Sequence, residues 1–388
     1  MTTPVSVTAA DRERLLAGGF DLAALPEGVD VHGPASLPLG IDDVKARFTL
    51  YYVGFPTGRY VIATLGDIGG SEPALLRIES ACAFGHLFGS LQCDCGWQWR
   101  TSLRTIIEAG RGILLYAVDQ DARGAGMAAH FDIYQLRQQE DLDTSEVFVR
   151  IGALWDSRDY TPVPQLLRAV GTRTIALMSN NAARVALLEE AGFDVTRAPL
   201  EAELTVENMS TLMLEKEDLG YAWSFATHAD VLEPLQASVA DRPQTVAAAL
   251  AEPGVAPTEH VEASWDDIAE QVRHLAGRVG AAQRQVLYLT DLPRLADLDG
   301  FAELGVRTLV TPYPHLPPLL TLAATSYGIR LVDWSRRNAW TVERPQWAPL
   351  AADENRHAYR LVGPDLAPVQ PEVARSYVRS VAGWTSAP

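Results

Sequence analysis

Cysteine is nearly absent: the 388 residues hold three, Cys82, Cys93 and Cys95, all within residues 82–95. An odd count, and a C-x-C spacing too tight for its two sulfurs to pair easily, argue against a disulfide framework. Basic residues are also in short supply, with 32 Lys and Arg against 49 Asp and Glu and a formal net charge of −17. A general nucleic-acid binder needs a basic field to displace counterions from phosphates, so no nucleic-acid partner is expected. An anionic small molecule remains compatible with that charge, because a pocket needs only a few local arginines and backbone amides. No apolar run approaches the roughly 20 residues of a membrane helix, so no membrane partner is expected. The N-terminal MTTPVSVTAADRERLLAGG lacks a basic segment followed by an apolar core, which reads as cytoplasmic. The absence of a GxxxxGKS/T phosphate loop argues against ordinary P-loop chemistry.

What is present is ample apolar material, 47% of the residues, enough for two or three packed domains. The clustered cysteines admit a buried structural role or a metal site. Cys93 and Cys95 flank Asp94, and an extended segment would place both sulfurs on one face, with Cys82 folding back beside them. Three thiolates suit zinc. His86 lies between the first and second cysteine and is a candidate fourth ligand that would make the site structural. If His86 points away, the fourth position stays open to water, and an open site means hydrolysis.

The segment RIESACAFGHLFGSLQCDCGWQ, residues 77–98, resembles the zinc-binding core of GTP cyclohydrolase II, the first enzyme of riboflavin synthesis. The similarity continues through EAGRGILLY at 108–116, LDTSE at 142–146, DSRDY at 156–160, LMSNNAARV at 177–185 and LMLEKEDLGY at 212–221. Upstream, GDIGGSEPALLRIES resembles the strand entering the motif, and the likeness covers roughly residues 38–225. The resemblance implies an α/β (α+β) fold and a homodimer. It also implies one Zn2+ per subunit on Cys82, Cys93 and Cys95, Mg2+ with the nucleotide phosphates, and GTP or a related purine nucleotide as substrate. In that family water attacks the purine C8, formate leaves and pyrophosphate is released.

The resemblance carries roles to further positions. Asp156 stands at a proposed acid/base aspartate, and Arg158 at a proposed nucleophile on the α-phosphorus, with phosphate clamping as the chemically easier role for an arginine. Tyr134 stands at a proton-transfer tyrosine. Arg77, Gln98, Asp121, Arg123, Thr144, Ser179 and Arg184 surround the nucleotide, Asp121 as an acceptor for guanine N–H groups or a magnesium ligand. The Ser179-Asn180-Asn181 turn between an apolar run and an amphipathic helical pattern would aim helix N-terminal amides at a phosphate.

Departures cluster on the nucleotide side. The family's usual His-Ser-Glu before the first cysteine is Glu79-Ser80-Ala81, and its Thr-Gly-Asp after it is Phe84-Gly85-His86. Gln92 replaces an arginine, Ala122 a glycine, Ser179 a threonine and Arg184 a lysine, with insertions near Ala117-Val118 and between Tyr134 and Thr144. Other readings therefore stand beside the GTP one. They are a homologue acting on another purine nucleotide or in a specialised or pyrimidine-catabolic pathway, a non-catalytic nucleotide sensor whose zinc is closed by His86, and a scaffold that binds no nucleotide.

Three regions are expected: an N-terminal helical extension over 1–37, a catalytic domain over 38–225 and a C-terminal α/β domain over 226–388. The helix TAADRERLLAGG has Thr8 as an N-cap, and the turn-rich PEGVDVHGPASLPLG leads onward. DRPQTVAAALAEPGVAPTEHVEAS reads as helix plus linker, and Ser264 and Asp267 as a capping box for the helix after them. QVLYLT, FAELGVRTLVTPYP and LLTLAATSYGIRLVDW give a βαβ rhythm and a small parallel sheet. Its loops TDLP and TPYPHLPP would lie at the carboxyl edge, where His315 is a lone histidine.

Overall fold

The computed structural model describes residues 13, 15–140, 147, 148, 150, 151, 153, 156–217, 219–313 and 316–334, and a strand pair at 346–349 and 359–362. Thr8, the LDTSE segment with Thr144, and His315 lie outside the described residues. The chain forms a mixed α/β structure around two main sheets.

The first sheet has seven strands in the order β1-β2-β3-β5-β4-β6-β7. These are β1 Asp30–Ile41, β2 Val44–Phe55, β3 Gly58–Leu65, β4 Ala74–Ser80, β5 Gly112–Ala117, β6 Thr174–Met178 and β7 Asp194–Ala198. β1, β2, β3 and β5 pair antiparallel in succession, whereas β5, β4, β6 and β7 pair in parallel. β4 is the pivot: the chain leaves it to make β5 on one side and returns later to make β6 on the other. Ligands in such sheets gather beyond the carboxyl ends of the strands at this kind of switch point. Cys82 stands two residues past the end of β4.

Both faces of this sheet are covered. On one, Leu103 and Ile106 of α2 (Cys95–Ala109) pack against Phe48, Ala63 and Leu114. On the other, Leu166 and Leu167 of α4 (Val163–Ala169) and Leu188 of α5 (Ala182–Glu190) meet Ile62, Ile78 and Leu115. Leu15 and Phe20 belong to that same core, so this end of the expected N-terminal extension packs against the sheet. The PEGVDVHGPASLPLG segment, read as turn-rich, is instead largely β1. As the edge strand it tolerates Pro34 and Pro38, and its register shifts between His32 and Ala35, where Gly33 and Pro34 sit.

The second sheet has the order β12-β11-β10-β8-β9, with β8 Thr245–Ala251, β9 Val261–Ser264, β10 Val286–Leu289, β11 Thr308–Thr311 and β12 Arg330–Asp333. β10, β11 and β12 pair in parallel, whereas β8 pairs antiparallel with both β10 and β9, so the sheet is mixed rather than parallel. β8 overturns the helix reading of TVAAALA, because its side chains alternate between two cores. Val246, Ala248 and Leu250 face α8 (Ile268–Ala276), α9 (Leu298–Glu303) and α10 (Pro318–Ser326). Ala247, Ala249 and Ala251 face α6 (Met209–Glu217) and α7 (His228–Val239). Alanine's small side chain lets helices approach a strand buried on both faces.

Ser264 and Asp267 do contact each other, hydroxyl to carboxylate at 2.7 Å, but α8 begins only at Ile268 and Asp267 makes no side-chain cap bond. A full capping box is formed instead by Thr227 and Asp230 on α7. Leu204, Met209, Leu212, Met213 and Trp223 lie in the second sheet's core, so residues 204–225 pack with the C-terminal half. Among the described residues no helix is long and apolar enough to cross a membrane.

Ala249→Leu should overfill the core between β8 and α7 and lower stability by about 1–3 kcal/mol. The check is a lower urea midpoint with little change in denaturant slope. An unchanged midpoint would show that this side of β8 is loosely packed.

Candidate metal centre and its cleft

Three backbone segments bring the sulfurs together. Cys82 caps the short helix α1 (Ala83–Phe88), its Sγ accepting the Gly85 N–H at 3.4 Å. Cys93 lies in the following turn, and Cys95 is the first residue of α2. The C-x-C segment is thus a turn entering a helix, not the extended strand that the spacing suggested. The three Sγ atoms lie within 4.8 Å of one another, and no further His, Cys, Asp or Glu among the described residues joins the group.

Two glycines permit this closeness. A Cβ at Gly85 would fall 2.9 Å from Cys95 Cβ, 3.0 Å from Cys93 Sγ and 3.2 Å from Cys82 Sγ. One at Gly96 would fall 2.5 Å from the Gly85 carbonyl oxygen. Three thiolates this close repel one another. Hydrogen bonds from Cys93 and Cys95 draw the Cys82 thiol down to about 4, and those same bonds push the Cys93 and Cys95 thiols up. A soft divalent cation relieves that frustration, so the donor set fits one.

His86 is turned away from the cluster. Its Nδ1 lies 3.3 Å from the Cys82 amide nitrogen and 3.3 Å from the Tyr116 hydroxyl, while Nε2 faces Glu79 Oε1 at 3.6 Å. Burial opposes charging of the ring, but Glu79 outweighs it and lifts His86 above the ordinary histidine range.

The cysteines open into a cleft of about 980 Å³, including its mouth. Arg77, on β4, lines it and is fixed by Glu79 at 2.8 Å, the Met178 carbonyl at 3.0 Å and Gln98 Oε1. Gln98 in turn donates to Asp94, a buried cleft residue whose carboxyl is pushed well up by burial and by the charge of Glu215. Tyr134, on α3 (Met127–Glu140), reaches the cleft with its ring stacked on His130 and its hydroxyl 3.5 Å from Ser90 Oγ. Burial pushes that hydroxyl's pKa up.

Asp156 and Arg158 form a two-point ion pair, with Arg158 Nε donating to Oδ1 at 2.7 Å and Nη2 to Oδ2. Arg158 lines the cleft and also donates to the Tyr221 hydroxyl at 2.8 Å. Burial works against the Asp156 charge, yet the adjacent guanidinium holds its carboxyl below the usual range. Ser179 and Arg184 line the cleft at the β6–α5 turn. Ser179 Oγ accepts the Asn181 N–H at 3.2 Å, and Arg184 is bound to the Ile78 carbonyl at 2.7 Å and to Tyr160.

Arg123 sits in left-handed backbone at φ +56° in the loop over Asp121–Gly124. It pairs with Glu215 at 3.2 Å, while its buried Nη1 has no partner among the described residues. A Cβ on Gly124 would fall 2.8 Å from the Ser157 carbonyl carbon, so this loop lies directly on the Asp156–Arg158 segment. Asp121 is the residue expected to accept guanine N–H groups or to hold magnesium. It accepts the Ala83 N–H at 2.8 Å, is bound to His130, and is not among the residues lining the cleft.

Sequence reasoning gave no role to Glu215, Tyr221 or Asp94, all of which line the cleft. Glu215 and Tyr221 lie within LMLEKEDLGY. The available signals were that this motif shares the family resemblance and carries polar residues between apolar ones.

Residues 40–199 match the model of the GTP cyclohydrolase II family. A GTP cyclohydrolase-2 of Azotobacter vinelandii is 38% identical over 177 residues, covering 45% of this chain and 84% of that protein. The riboflavin biosynthesis protein RibBA of Salinispora tropica is 34% identical over 194 residues, 50% of this chain and 48% of that one. RibBA of Bacillus subtilis is 38% identical over 168 residues, 43% and 42% respectively. The chain thus spans about half, or less, of the length of these RibBA relatives. The family match ends where the second sheet's core begins. With three sulfurs gathered beyond β4 and likeness across most of a GTP cyclohydrolase-2, the chain belongs to the GTP cyclohydrolase II family.

Proposed function

We propose that the chain is a zinc-dependent cyclohydrolase that opens the imidazole ring of a purine nucleotide, in the simplest case GTP. Formate and pyrophosphate leave, and a diaminopyrimidinone ribosyl phosphate remains, as at the entry to riboflavin synthesis. The observation that carries this reading is the three-sulfur cluster opening into a cleft that also holds Arg158, Arg123 and Tyr134. Mg2+ accompanies the phosphates, and the working unit is a homodimer.

Cys82, Cys93 and Cys95 would hold the zinc, which when bound supplies Lewis acidity for activating water. Because His86 faces Glu79 and the Cys82 amide, the sensor reading, which needs His86 as a ligand, loses its fourth donor. Arg158 stays charged against Asp156 and suits the clamping of a phosphate better than nucleophilic attack, which would need a neutral guanidine. Asp156 keeps Arg158 aimed, and Tyr134, protonated at neutral pH, can donate a hydrogen bond or a proton to the opening ring. Gln98, Arg77, Ser179 and Arg184 form the surrounding polar wall. Use of another purine nucleotide is favoured by one observation: Asp121 is bound to Ala83 and His130, and Glu215 faces the cleft instead.

Zinc-loaded protein incubated with GTP and Mg2+ should release formate and pyrophosphate and give the ring-opened phosphate by mass spectrometry, and Cys93→Ser should abolish both zinc and turnover. Full activity of a zinc-free Cys93→Ser protein would contradict the mechanism. Turnover confined to a different purine nucleotide would move the substrate but keep the chemistry.

Asp156→Asn leaves the buried Arg158 charge without its counterion and should cost about 1.5–3 kcal/mol. Since the folded-state pKa of Asp156 is lowered, its stabilisation is complete above the unfolded value of about 3.9 and is lost as pH falls through the folded value. Urea titrations of wild type and variant should therefore differ by a constant amount at neutral pH and converge in acid. A gap that persists unchanged at the lowest accessible pH would refute the assignment.

A further inference from the structure

We infer that Glu79 and His86 form a latch that positions the Cys82-bearing loop for metal binding, with His86 acting through the Cys82 backbone rather than as a ligand. The inference rests on the proposed metal site. Glu79 is the penultimate residue of β4 and His86 is in α1, so the pair spans the loop that carries Cys82. The side chains of both are nearly inaccessible, at 4% and 7% exposure.

The contacts form a chain of anchors. Arg77 is tied to the neighbouring strand by the Met178 carbonyl at 3.0 Å and holds Glu79 at 2.8 Å. Glu79 Oε1 faces His86 Nε2 at 3.6 Å, and His86 Nδ1 receives the Cys82 N–H at 3.3 Å. In the neutral ring that assignment puts the proton on Nε2, which faces the carboxylate at a distance longer than a hydrogen bond. The ring is further fixed by Tyr116 at 3.3 Å from Nδ1 and by Trp99, whose ring centroid lies 6.1 Å away. Loop and helix are closed again by the His86 N–H to the Cys82 carbonyl at 2.8 Å. His86 therefore grips both backbone polar groups of the first sulfur-bearing residue, one with its ring and one with its amide.

Such a latch acts through the backbone of Cys82 and not by a bond to the metal, so Glu79 and His86 are positioning residues. Outer partners of metal ligands typically change affinity by about 10–100-fold when removed. An acid facing an imidazole also works in either order, and both positions are among those where the motif departs from the family's usual residues.

The test uses the zinc-loaded chain of residues 1–388, with Glu79→Gln, His86→Asn and the exchanged double variant Glu79→His/His86→Glu. Zinc transfer to a chromogenic chelator should be about 10-fold or more faster in each single variant. The exchanged pair should recover most of that loss. The cobalt-substituted His86→Asn protein should keep the thiolate charge-transfer and ligand-field bands of the wild type. Altered bands would make His86 a ligand and overturn the latch, as would wild-type release rates in the single variants or an exchanged pair no slower than they are. If the wild type holds no metal, the parent reading fails separately. Alkylation of Cys82 in the metal-free variants then decides the latch alone: acceleration over wild type supports it, and equal rates refute it.

Discussion

The close approach of Gly85 to the start of α2 is the constraint on which the site depends. A side chain at Gly85 would meet all three cysteines, and one at Gly96 would meet the Gly85 carbonyl. The sulfur cluster follows from two backbones touching where neither has a Cβ. The sulfurs then fall within 4.8 Å, a separation that suits one cation and that three thiolates could not hold unaided. The parallel strands supply the location, because β4 ends where the sheet changes direction and delivers Cys82 there.

Around that point the cleft is built from charges that are already paired. Arg77 is held by Glu79, Arg123 by Glu215 and Arg158 by Asp156, all largely buried. Burial makes each unpaired partner costly, so the pairs fix side-chain directions more than they add net stability. α6 binds this wall to the rest of the molecule. Its apolar residues Leu212 and Met213 belong to the second sheet's core, while Thr211 and Glu215 face the cleft. The C-terminal sheet therefore supports part of the cleft wall directly.

The sulfur cluster could be read from the sequence because few sulfurs are available: three cysteines at short spacing come within 4.8 Å of one another. Arg158, Tyr134, Ser179 and Arg184 could be placed for a similar reason, as ordered motifs keep their relative positions and all four line one cleft. What failed was governed by distant packing. TVAAALA has a helix-favouring composition, yet two opposing cores drew it into a strand. Pro34 and Pro38 suggested turns, yet an edge strand accommodates them. The partners of Asp121, expected to accept guanine N–H groups or to hold magnesium, were not legible either: its carboxylate meets His130 and the Ala83 amide, neither of which its own segment reveals. Glu215 and Tyr221 went unnoticed because a helix belonging to another core carries or precedes them.

The most direct measurement is X-ray absorption at the zinc edge of the protein as purified. One zinc per chain with three sulfur neighbours at about 2.3 Å and one nitrogen or oxygen scatterer without imidazole features is expected. A fourth sulfur, an imidazole ligand, or a protein that carries no zinc while remaining active would contradict the three-sulfur centre.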